Sequence, residues 1–176
     1  MMATRRAPNP MALRRMFGCF ATGVTIVTTT GEDGMPVGVT ANSFTSVSLD
    51  PPLLLVSLSR QMQSIVAFEN AEYFTVNVLG SHQADLARLF GTHGSDKWSG
   101  IKAAAGTANV PIIPDAVAFF ECRTHSIVPA GDHNLHIGHV INSLGSPEVA
   151  PLVFHAGQFT ALADRSSGCD TSARST

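Results

Sequence analysis

The segment VGVTANSFTSVSLDPP, residues 37–52, mixes three serines, two threonines and one asparagine with regularly spaced apolar residues, and it ends in two prolines. Its alternation and its β-branched residues predict an extended strand. Strand parity places Thr40, Asn42, Phe44, Ser46 and Ser48 on one face, and Ala41, Ser43, Thr45, Val47 and Leu49 on the other. Neither face is apolar throughout. The segment is therefore either a half-exposed strand that small hydroxyls fit, or the wall of a ligand site where a flat ring approaches the backbone.

The residues before this segment predict a helix and a β-hairpin. Asn9 is a good N-cap and Pro10 suits the first helical position, so a helix begins there. Its apolar face would consist of Leu13, Met16, Phe17 and Phe20, with Arg14 and Arg15 turned to water. The following VTIVTTT, residues 24–30, is rich in β-branched residues, and GEDGMP supplies a turn. Together they predict a hairpin that leads into the opening segment.

The residues after the two prolines predict further strands and one long loop. The predicted strands cover residues 53–59, 73–79, 116–128, 135–144 and 152–162. Glycine, proline and small residues fill positions 91–114, so we expect a long loop around Trp98. Loops of that length are often functional.

Two short helices are predicted between these strands. In residues 61–70, one helical stripe carries Met62, Ile65 and Val66. Ser81 can cap the other helix, residues 82–90. Its buried face would hold Leu86, Leu89 and Phe90, and Asp85 can pair with Arg88 on its surface.

The order of these elements predicts a mainly β fold. Six or seven strands, few helices and no regular alternation of strand and helix favour a small, mostly antiparallel barrel with peripheral helices, because a barrel closes its sheet edges most simply. The 44% apolar content suits one compact domain, which we place at residues 9–162. Residues 1–8 are expected to be a flexible N-terminus, and residues 163–176, which lack apolar anchors, a disordered tail.

Composition argues against several classes of function. Only 14% of the residues are charged and the formal net charge is −2, so no nucleic-acid partner is expected. Cys19, Cys122 and Cys169 are widely spaced without a CxxC pair, which argues against a disulfide framework and a thiolate zinc site. No apolar run is long enough to span a bilayer, and no apolar stretch follows the N-terminal arginines. We therefore expect a soluble, cytoplasmic protein with no membrane partner.

The sequence lacks the common motifs for phosphate binding and nucleophilic catalysis. No GxGxxG opens a helix after a strand, and neither GxxxxGK[ST] nor a GxSxG elbow is present. A monophosphate could still be held by hydroxyls, backbone N–H groups and one or two cations. The candidates for this are Ser57, Ser59, Arg60, Ser64 and Arg88. For the two arginines, an ordinary surface charge is the alternative.

Three of the seven histidines lie in GDHNLHIGHV, residues 131–140. His136 and His139 are three residues apart on a predicted strand, so they face opposite sides and no metal site is predicted. His133 stands at the entrance of this strand, where its side chain can reach the mouth of a pocket. The alternative is a structural histidine whose hydrogen bonds are satisfied within the fold.

Eight blocks of the sequence, in order and spacing, resemble the flavin reductase-like family. They are CFATGVTIVTT, GVTANSFTSVSLDPPLLLVSL, FTVNVL, QADLARLFG, DKW, FFECR, AGDHNLHIGHV and PLVFHAGQF. The resemblance extends from about Leu13 to Phe159. Members of this family are short-chain NAD(P)H:flavin oxidoreductases that serve two-component monooxygenases.

The resemblance implies an FMN-binding split β-barrel, antiparallel and Greek-key-like, that forms a homodimer with the flavin site near the subunit interface. It also implies a flavin reductase that uses NADH or NADPH to reduce FMN or FAD and passes the reduced flavin to a separate monooxygenase. The residues along the flavin would be Thr40, Ala41, Asn42, Ser43, Ser46, Val47 and Ser48. Toward its phosphate would lie Ser57, Ser59 and Ser64.

The family's later blocks imply a nicotinamide side and an aromatic side of the site. Gly131, Asp132 and His133 resemble the nicotinamide-side motif, in which we expect His133 to orient the nicotinamide amide or the flavin rather than to transfer protons. The closing aromatic block beside the site corresponds to Phe154, His155 and Phe159.

The chain departs from many relatives at three positions. Gln61 and Met62 stand where further hydroxyls are common, and Ala156 stands where a basic residue is common. Two alternative functions stay open at this point. One is a non-reducing flavin-binding protein that stores or senses the cofactor, and the other is an enzyme similar to pyridoxamine-phosphate oxidase on the same type of barrel.

Overall fold

The computed structural model describes residues 9–94 and 96–162. Both predicted terminal segments, the flexible residues 1–8 and the disordered residues 163–176, lie outside the described residues. The described part of the chain contains three α-helices and twelve strands. None of these helices is long and apolar enough to cross a membrane.

The fold consists mainly of strands and contains a few short helices. The helices are α1 (Pro10–Phe17), α2 (Ile65–Asn70) and α3 (Ala84–Gly91), with 3₁₀ turns at Ser81–Gln83 and Thr107–Asn109. The strands are β1 (Thr22–Gly23), β2 (Thr25–Thr30), β3 (Pro36–Ala41), β4 (Thr45–Leu49), β5 (Pro52–Ser59), β6 (Tyr73–Val78), β7 (Ala104–Ala105), β8 (Pro111–Ile112), β9 (Ala118–Ala130), β10 (His133–Gly145), β11 (Leu152–His155) and β12 (Gln158–Ala161). The predicted fold class, mainly β and antiparallel with few helices, is confirmed.

Seven strands form one antiparallel sheet in the order β3-β2-β6-β9-β10-β5-β4. The two edge strands, β3 and β4, are consecutive in the chain and are joined by residues 42–44. In a flat sheet these edges would lie about 29 Å apart, because neighbouring strands are about 4.8 Å apart. The four Cα steps from Ala41 to Thr45 span at most about 14 Å. The sheet must therefore curl until its edges approach each other, which gives a barrel that is split between β3 and β5.

Two apolar clusters use the two faces of β2. The buried members of the first cluster are Val27, Leu54, Val56, Leu58, Ile65, Phe68, Phe74, Val76 and Cys122. The buried members of the second, which lies beneath α3, are Val24, Ile26, Leu79, Ala87, Phe90, Ile113 and Leu152. Full burial of one large apolar side chain contributes about 1.5–3 kcal/mol. Because Ile26 and Val27 point to opposite faces of β2, this strand contributes one buried side chain to the barrel interior and one to the layer beneath α3.

Buried polar side chains hold the long loop that follows α3 against the sheet. Asn77 Oδ1 accepts a hydrogen bond from the backbone N–H of Ile113 at 2.9 Å. The carboxylate of Glu121 accepts from the backbone N–H of Thr107 and from Asn142 Nδ2. Burial alone would raise the pKa of Glu121, but these hydrogen bonds outweigh it and the pKa lies below its ordinary value. The ionised carboxylate of Glu121 therefore holds the loop against the sheet at Thr107.

The opening segment differs from its predicted single strand. The chain stops pairing after Ala41 because it crosses from one edge of the sheet to the other, and pairing resumes at Thr45. A bulge then shifts the register between Ser46 and Ser48. The single parity pattern predicted for residues 40–49 is therefore wrong beyond Ala41.

The final predicted strand, residues 152–162, is in fact the hairpin of β11 and β12. At its turn, Ala156 and Gly157 have φ values of 49° and 82°. A two-residue hairpin turn with positive φ at both central residues matches the twist of the flanking strands. Alanine is an unusual residue for this conformation, which is why the sequence did not show the turn.

Of the two helix caps predicted from the sequence, one is confirmed and the other is wrong. Asn9 caps α1 as predicted, because its Oδ1 accepts a hydrogen bond from the backbone N–H of Met11 at 2.9 Å. The cap predicted at Ser81 is wrong. The Gln83 side chain instead accepts from the backbone N–H of Gly80 at 3.0 Å, one residue before the 3₁₀ turn that leads into α3.

The buried faces of the helices also differ from the pattern in the sequence. In α2 the buried aromatic residue is Phe68, whereas Val66 is 58% exposed. In α3 the small Ala87 is buried beside Phe90, because the helix packs closely on β3. No residue of α1 is buried, so its predicted apolar face is exposed in the single chain.

His136 is a buried histidine in β10, and its Nε2 has no hydrogen-bond partner among the described residues. Burial lowers the pKa of His136, and the nearby Glu69 carboxylate only partly opposes this shift. The unfolded chain has an ordinary histidine pKa of about 6.5. Below that pH the unfolded state therefore binds a proton that the folded state excludes, and the free energy of unfolding must fall.

We expect acidification from about pH 7.5 to about pH 5.5 to lower the free energy of unfolding by up to about 1 kcal/mol through this histidine. His136→Leu should flatten this part of the pH profile. His125→Leu, at an exposed position, should leave it unchanged. Urea denaturation across this pH range measures the effect, and parallel profiles for wild type and His136→Leu would contradict it.

Candidate functional site

The split of the barrel forms a groove between the end of β3 and the end of β5, which we call the hydroxyl groove. Its volume is about 250 Å³, and it is lined by Val39, Thr40, Ala41, Asn42, Ser43, Ser57, Leu58, Ser59, Met62 and His133. β4 pairs with residues 52–55 of β5, so the remainder of β5 is left open toward β3. The structure thereby brings together seven of the predicted site residues, namely Thr40, Ala41, Asn42, Ser43, Ser57, Ser59 and His133.

Several polar side chains of the hydroxyl groove hold the groove itself together. Ser43 Oγ donates to Ser57 O at 2.8 Å and accepts from Ser57 N at 2.9 Å, so it links the end of β3 to β5. Thr40 Oγ1 donates to Ala87 O in α3 at 2.7 Å. Asn42 Nδ2 donates to a threonine hydroxyl in β1 at 3.2 Å. The groups left for a ligand therefore include the side-chain hydroxyl of Ser57 and the amide oxygen of Asn42.

A tight turn brings His133 to the rim of the hydroxyl groove. Gly131 and Asp132 connect β9 to β10, and Gly131 has a φ of 63°. A glycine at the first central position is what a type II′ hairpin turn requires. The turn places His133 opposite Ser59 in the ladder between β10 and β5. The GDH block thus consists of two turn residues followed by one residue that reaches the site.

Asp132 orients the imidazole of His133. Nδ1 of His133 lies 2.7 Å from Asp132 Oδ1, and because a carboxylate only accepts, Nδ1 carries the hydrogen. This hydrogen bond, with the charge of the protonated ring, lowers the pKa of Asp132. The side chains are 41% and 78% exposed, so the pair adds little stability. Its effect is to fix the ring and leave Nε2 for a ligand.

A second cavity of about 310 Å³ adjoins the hydroxyl groove, and we call it the Trp98 cavity. It is lined by residues 36–39, 62–64, 90–94 and 96–98. Val39 and Met62 line both cavities, so the two are immediate neighbours. Each alone is at or near the lower limit of about 300 Å³ for a small-molecule site, and together they lie well within the usual range.

Close packing around Gly38 shapes the Trp98 cavity. Trp98 meets Phe90 edge to face, with ring centroids 5.0 Å apart. A Cβ at position 38 would lie 2.5 Å from the Phe90 ring and 3.1 Å from Trp98, so both rings need glycine there. Lys97 Nζ donates to Phe90 O at 3.0 Å. This bond satisfies a carbonyl in the last turn of α3, where helix carbonyls lack partners.

The remaining candidates for the phosphate are dispersed. Ser64 lines the Trp98 cavity instead of the hydroxyl groove. Arg60 is exposed and bonds through its backbone N–H to the turn before β10. Arg88 forms the predicted pair with Asp85 at 2.6 Å and lies over the Phe159 ring, 5.3 Å from its centroid. Neither arginine lines either of the two cavities.

The other predicted flavin contacts lie on the periphery of the hydroxyl groove. In the edge strand β4, outside both cavities, are Ser46, Val47 and Ser48. Phe154 and Phe159 pair across the β11–β12 hairpin with ring centroids 5.6 Å apart. Phe154 lies opposite Thr22, whose hydroxyl accepts from Asn42, so this pair neighbours the rim. The roles of all five as cofactor-binding residues stay predictions.

The structure adds site residues that sequence reasoning did not select. They are Val39, Leu58, Met62, Gln63, Lys97 and Trp98. The available signal was the DKW block, in which a cation precedes a large aromatic residue within a loop of small residues. In the described ranges, no three His, Cys, Asp or Glu side chains are close enough to share a metal ion. The two cavities instead offer hydroxyls, an amide, an imidazole and an ammonium group, which suit a flat heteroaromatic ring that carries a phosphate.

The structure therefore falls in the class of split antiparallel β-barrel domains that have a polar groove at the opening of the barrel. Comparison with protein families agrees with this class, because the flavin reductase like domain matches residues 17–163. The chain therefore belongs to the flavin reductase-like family, as its sequence blocks predicted.

Individual relatives support the same assignment. The reductase component of a flavin-dependent trigonelline monooxygenase from Acinetobacter baylyi is 42% identical over 84% of this chain and 47% of its own length. The NADH-dependent FMN reductase SmoA of Agrobacterium fabrum is 38% identical over 86% of this chain and 85% of its own length. An NADH:FAD oxidoreductase of Streptomyces globisporus, solved with NAD and FAD fragments, has a TM-score of 0.85 and 37% identity, covering 90% of this chain and 95% of that one. The chain spans about half the length of several curated relatives that it matches.

Ser43→Ala should lower the free energy of unfolding by about 1–2 kcal/mol, because it removes the hydroxyl that both donates to and accepts from the Ser57 backbone. Ser46→Ala is the matched control, since Ser46 is exposed on β4, and it should change stability by less than about 0.5 kcal/mol. Chemical denaturation measures both changes. Equal stabilities for the two variants would show that Ser43 does not hold the split of the barrel.

Proposed function

We propose that the protein is a cytoplasmic NAD(P)H-dependent flavin reductase that transfers a hydride from NADH or NADPH to FMN or FAD. The reduced flavin then passes to a separate monooxygenase. The observation that carries this proposal is the hydroxyl groove, with His133 at its rim, in a chain of the flavin reductase-like family. The relatives described as a monooxygenase reductase component and as an FMN reductase support the same reaction.

The residues of the hydroxyl groove fit a flavin ring. A bound flavin supplies the hydride acceptor, its N5 atom, for the C4 position of a nicotinamide. Short side chains along residues 40–43 let a flat ring lie against the backbone, while Ser57 and Ser59 offer hydroxyls along its edge. Residues 42–44 belong to no strand, so their N–H groups are outside the sheet ladder and can stabilise negative charge at the ring edge.

In this proposal, the role of His133 is to orient the nicotinamide or the flavin. Its Nδ1 is held by Asp132, which leaves Nε2 at the rim of the hydroxyl groove to position the nicotinamide amide or the flavin. Hydride transfer between two rings needs them stacked in reacting contact, and it needs no side-chain nucleophile. The Gly131–Asp132 turn therefore contributes through the placement of one imidazole.

A paired kinetic assay tests the proposed function. Purified protein is mixed with NADH or NADPH and an excess of FMN or FAD, and the loss of nicotinamide absorbance is followed for all four pairs. Oxidation with at least one pair is expected. If flavin binds but no pair reacts under anaerobic conditions, the protein is a non-reducing flavin binder instead.

His133→Ala should lower kcat/KM for the nicotinamide about tenfold or more, through a higher KM or a lower kcat, while flavin affinity stays nearly unchanged. The reason is that the imidazole orients the hydride donor but does not carry the flavin ring. His125→Ala, at an exposed position on β9, is the matched control and should keep wild-type kinetics. A parallel loss of flavin affinity and activity in His133→Ala would instead assign the histidine a structural role.

We propose that two copies of the chain associate through an apolar surface formed by α1 and the residues that follow it as far as Phe20. Met16, Phe17 and Phe20 are 64%, 69% and 77% exposed in the single chain. Isolated helices shorter than about 12–15 residues are marginal in water, and contiguous exposed apolar patches are typical of interfaces. Phe20 lies two residues before Thr22, whose hydroxyl bonds to Asn42 of the hydroxyl groove. This surface is therefore close along the chain to a residue that bonds to the groove, as expected for a flavin site near a dimer interface.

Met16→Asp should convert a dimer into a monomer, because a carboxylate in the centre of this apolar face would have to be buried without a partner. Met35→Asp is the matched control, because Met35 is 61% exposed in the turn between β2 and β3. Sedimentation velocity should show dimers for wild type and for Met35→Asp. A monomeric wild type, or a dimeric Met16→Asp protein, would contradict the proposed interface.

A further inference from the structure

The helix α2 contacts β10 through two side-chain pairs. Asn134 is buried, and its Nδ2 donates a hydrogen bond to Glu69 Oε1 at 2.7 Å. The ring of Phe68 meets the imidazole of His136 edge to face, with ring centroids 6.4 Å apart. Residues 134 and 136 are both buried on the same face of β10. The imidazole of His136 is therefore enclosed between the strand and the helix.

The surroundings of His136 disfavour a positive charge. Its partners in the two ladders are Val56 of β5 and Ile127 of β9, which are both apolar. Its Nε2 has no hydrogen-bond partner among the described residues. The charged group that acts on the imidazole is the carboxylate of Glu69. The apolar cluster to which α2 contributes also contains the thiol of Cys122, and burial raises the pKa of Cys122 to about 12, so this thiol stays neutral.

The protonation of His136 is coupled to the position of α2. Burial lowers the pKa of His136, and the charge of Glu69 only partly opposes this shift, so the closed arrangement holds a neutral imidazole. When α2 moves away, water reaches the ring and its pKa returns toward the ordinary value of about 6.5. Acid therefore stabilises the arrangement in which α2 has left the imidazole.

The local structure of α2 gives the helix little stability of its own. It consists of six residues, Ile65–Asn70, and Ser64 at its N-cap makes no side-chain capping bond. Isolated helices of this length are marginal in water. The helix is held by the burial of Ile65 and Phe68 and by the hydrogen bond to Asn134. These features are typical of an element that opens locally while the remainder of the domain stays folded.

The residues that lead into α2 form part of the wall of both cavities. Met62 lines the hydroxyl groove and the Trp98 cavity, and Gln63 and Ser64 line the Trp98 cavity. Met62 O accepts a hydrogen bond from the backbone N–H of Ile65 at 3.2 Å, which bonds this wall to the first residue of the helix. Met62 also packs against the cluster that contains Ile65 and Phe68. A movement of α2 therefore displaces one wall of the site.

We propose that residues 61–70, which we call the α2 wall, open when His136 is protonated and are held closed by a ligand bound in the neighbouring cavities. Ligand binding and protonation then oppose each other, because the ligand favours the closed wall and acid favours the open one. The inference rests on the proposed function for the choice of FMN as the ligand. The opening of the wall in the ligand-free protein does not depend on that choice.

Hydrogen–deuterium exchange of the full chain tests the inference, with correction for the pH dependence of the intrinsic exchange rate. The opening equilibrium of the α2 wall should rise about tenfold from about pH 7.5 to about pH 5.5, because an exposed histidine with a pKa of about 6.5 becomes protonated over this range. Amides of β5 report global unfolding and should open less often than the α2 wall, at low urea concentrations as well. Saturating FMN should reduce the opening of the α2 wall at both pH values.

Substitutions of His136 test whether this residue is the proton acceptor. His136→Leu and His136→Gln should both abolish the increase of opening in acid, since neither side chain binds a proton. Either change alters the packing of α2, so the quantity compared is the ratio of opening at the two pH values in each variant. His125→Leu removes an exposed histidine of β9 and is the matched control, which should keep the wild-type ratio.

Four results overturn the inference and leave the proposed function intact. The first is wild-type opening of the α2 wall that changes by less than about twofold between the two pH values. The second is a wild-type pH ratio in both His136 variants, and the third is equal opening of the α2 wall and β5, which would mean that α2 opens only on global unfolding. The fourth is FMN that binds without reducing the opening. A protein that binds no flavin would overturn the proposed function and with it the role of the ligand, while exchange of the ligand-free protein still decides whether the α2 wall is proton-sensitive.

Discussion

The short connection between β3 and β4 is the constraint on which the rest of the structure depends. Residues 42–44 join two strands that a flat seven-stranded sheet would hold at opposite edges. A chain of that length can only connect them if the sheet curls, which strand twist already favours. Curling encloses the first apolar cluster and turns the end of β3 toward the unpaired part of β5. The hydroxyl groove is therefore a direct consequence of how the barrel closes.

Barrel closure also explains why this segment is rich in small hydroxyls. At the split, the ladder between edge strands is interrupted, and Ser43 replaces it with one donated and one accepted bond to the Ser57 backbone. Thr40 makes a similar link to α3. Buried backbone groups need such partners, and a hydroxyl is a small group that can both donate and accept. Larger side chains would make these links only by filling the groove, so small hydroxyls close the split and also leave the hydroxyl groove open.

Sequence patterns predicted those elements whose conformation is set by nearby residues. The strands β2, β5 and β6 follow their apolar and β-branched runs, and α1 begins at Asn9 because a local side-chain cap forms. The break after Ala41 was not predictable from parity, because it results from pairing with distant strands. Most of the groove residues were selected through the family resemblance. Lys97 was not selected, because its place depends on how a loop without periodicity folds over β3.

The absence of lysine and arginine from the lining of the hydroxyl groove limits the contacts that the groove can offer to a ligand. In the hydroxyl groove, binding must come from hydrogen bonds and shape, because its lining carries no lysine or arginine. Such an arrangement limits affinity and therefore allows rapid dissociation, since differences in affinity appear mainly in the dissociation rate. The proposed reductase, which would supply a separate oxygenase, would need this exchange. Under the proposed function, this lining favours a flavin that binds, reacts and leaves over one that is retained as a fixed group.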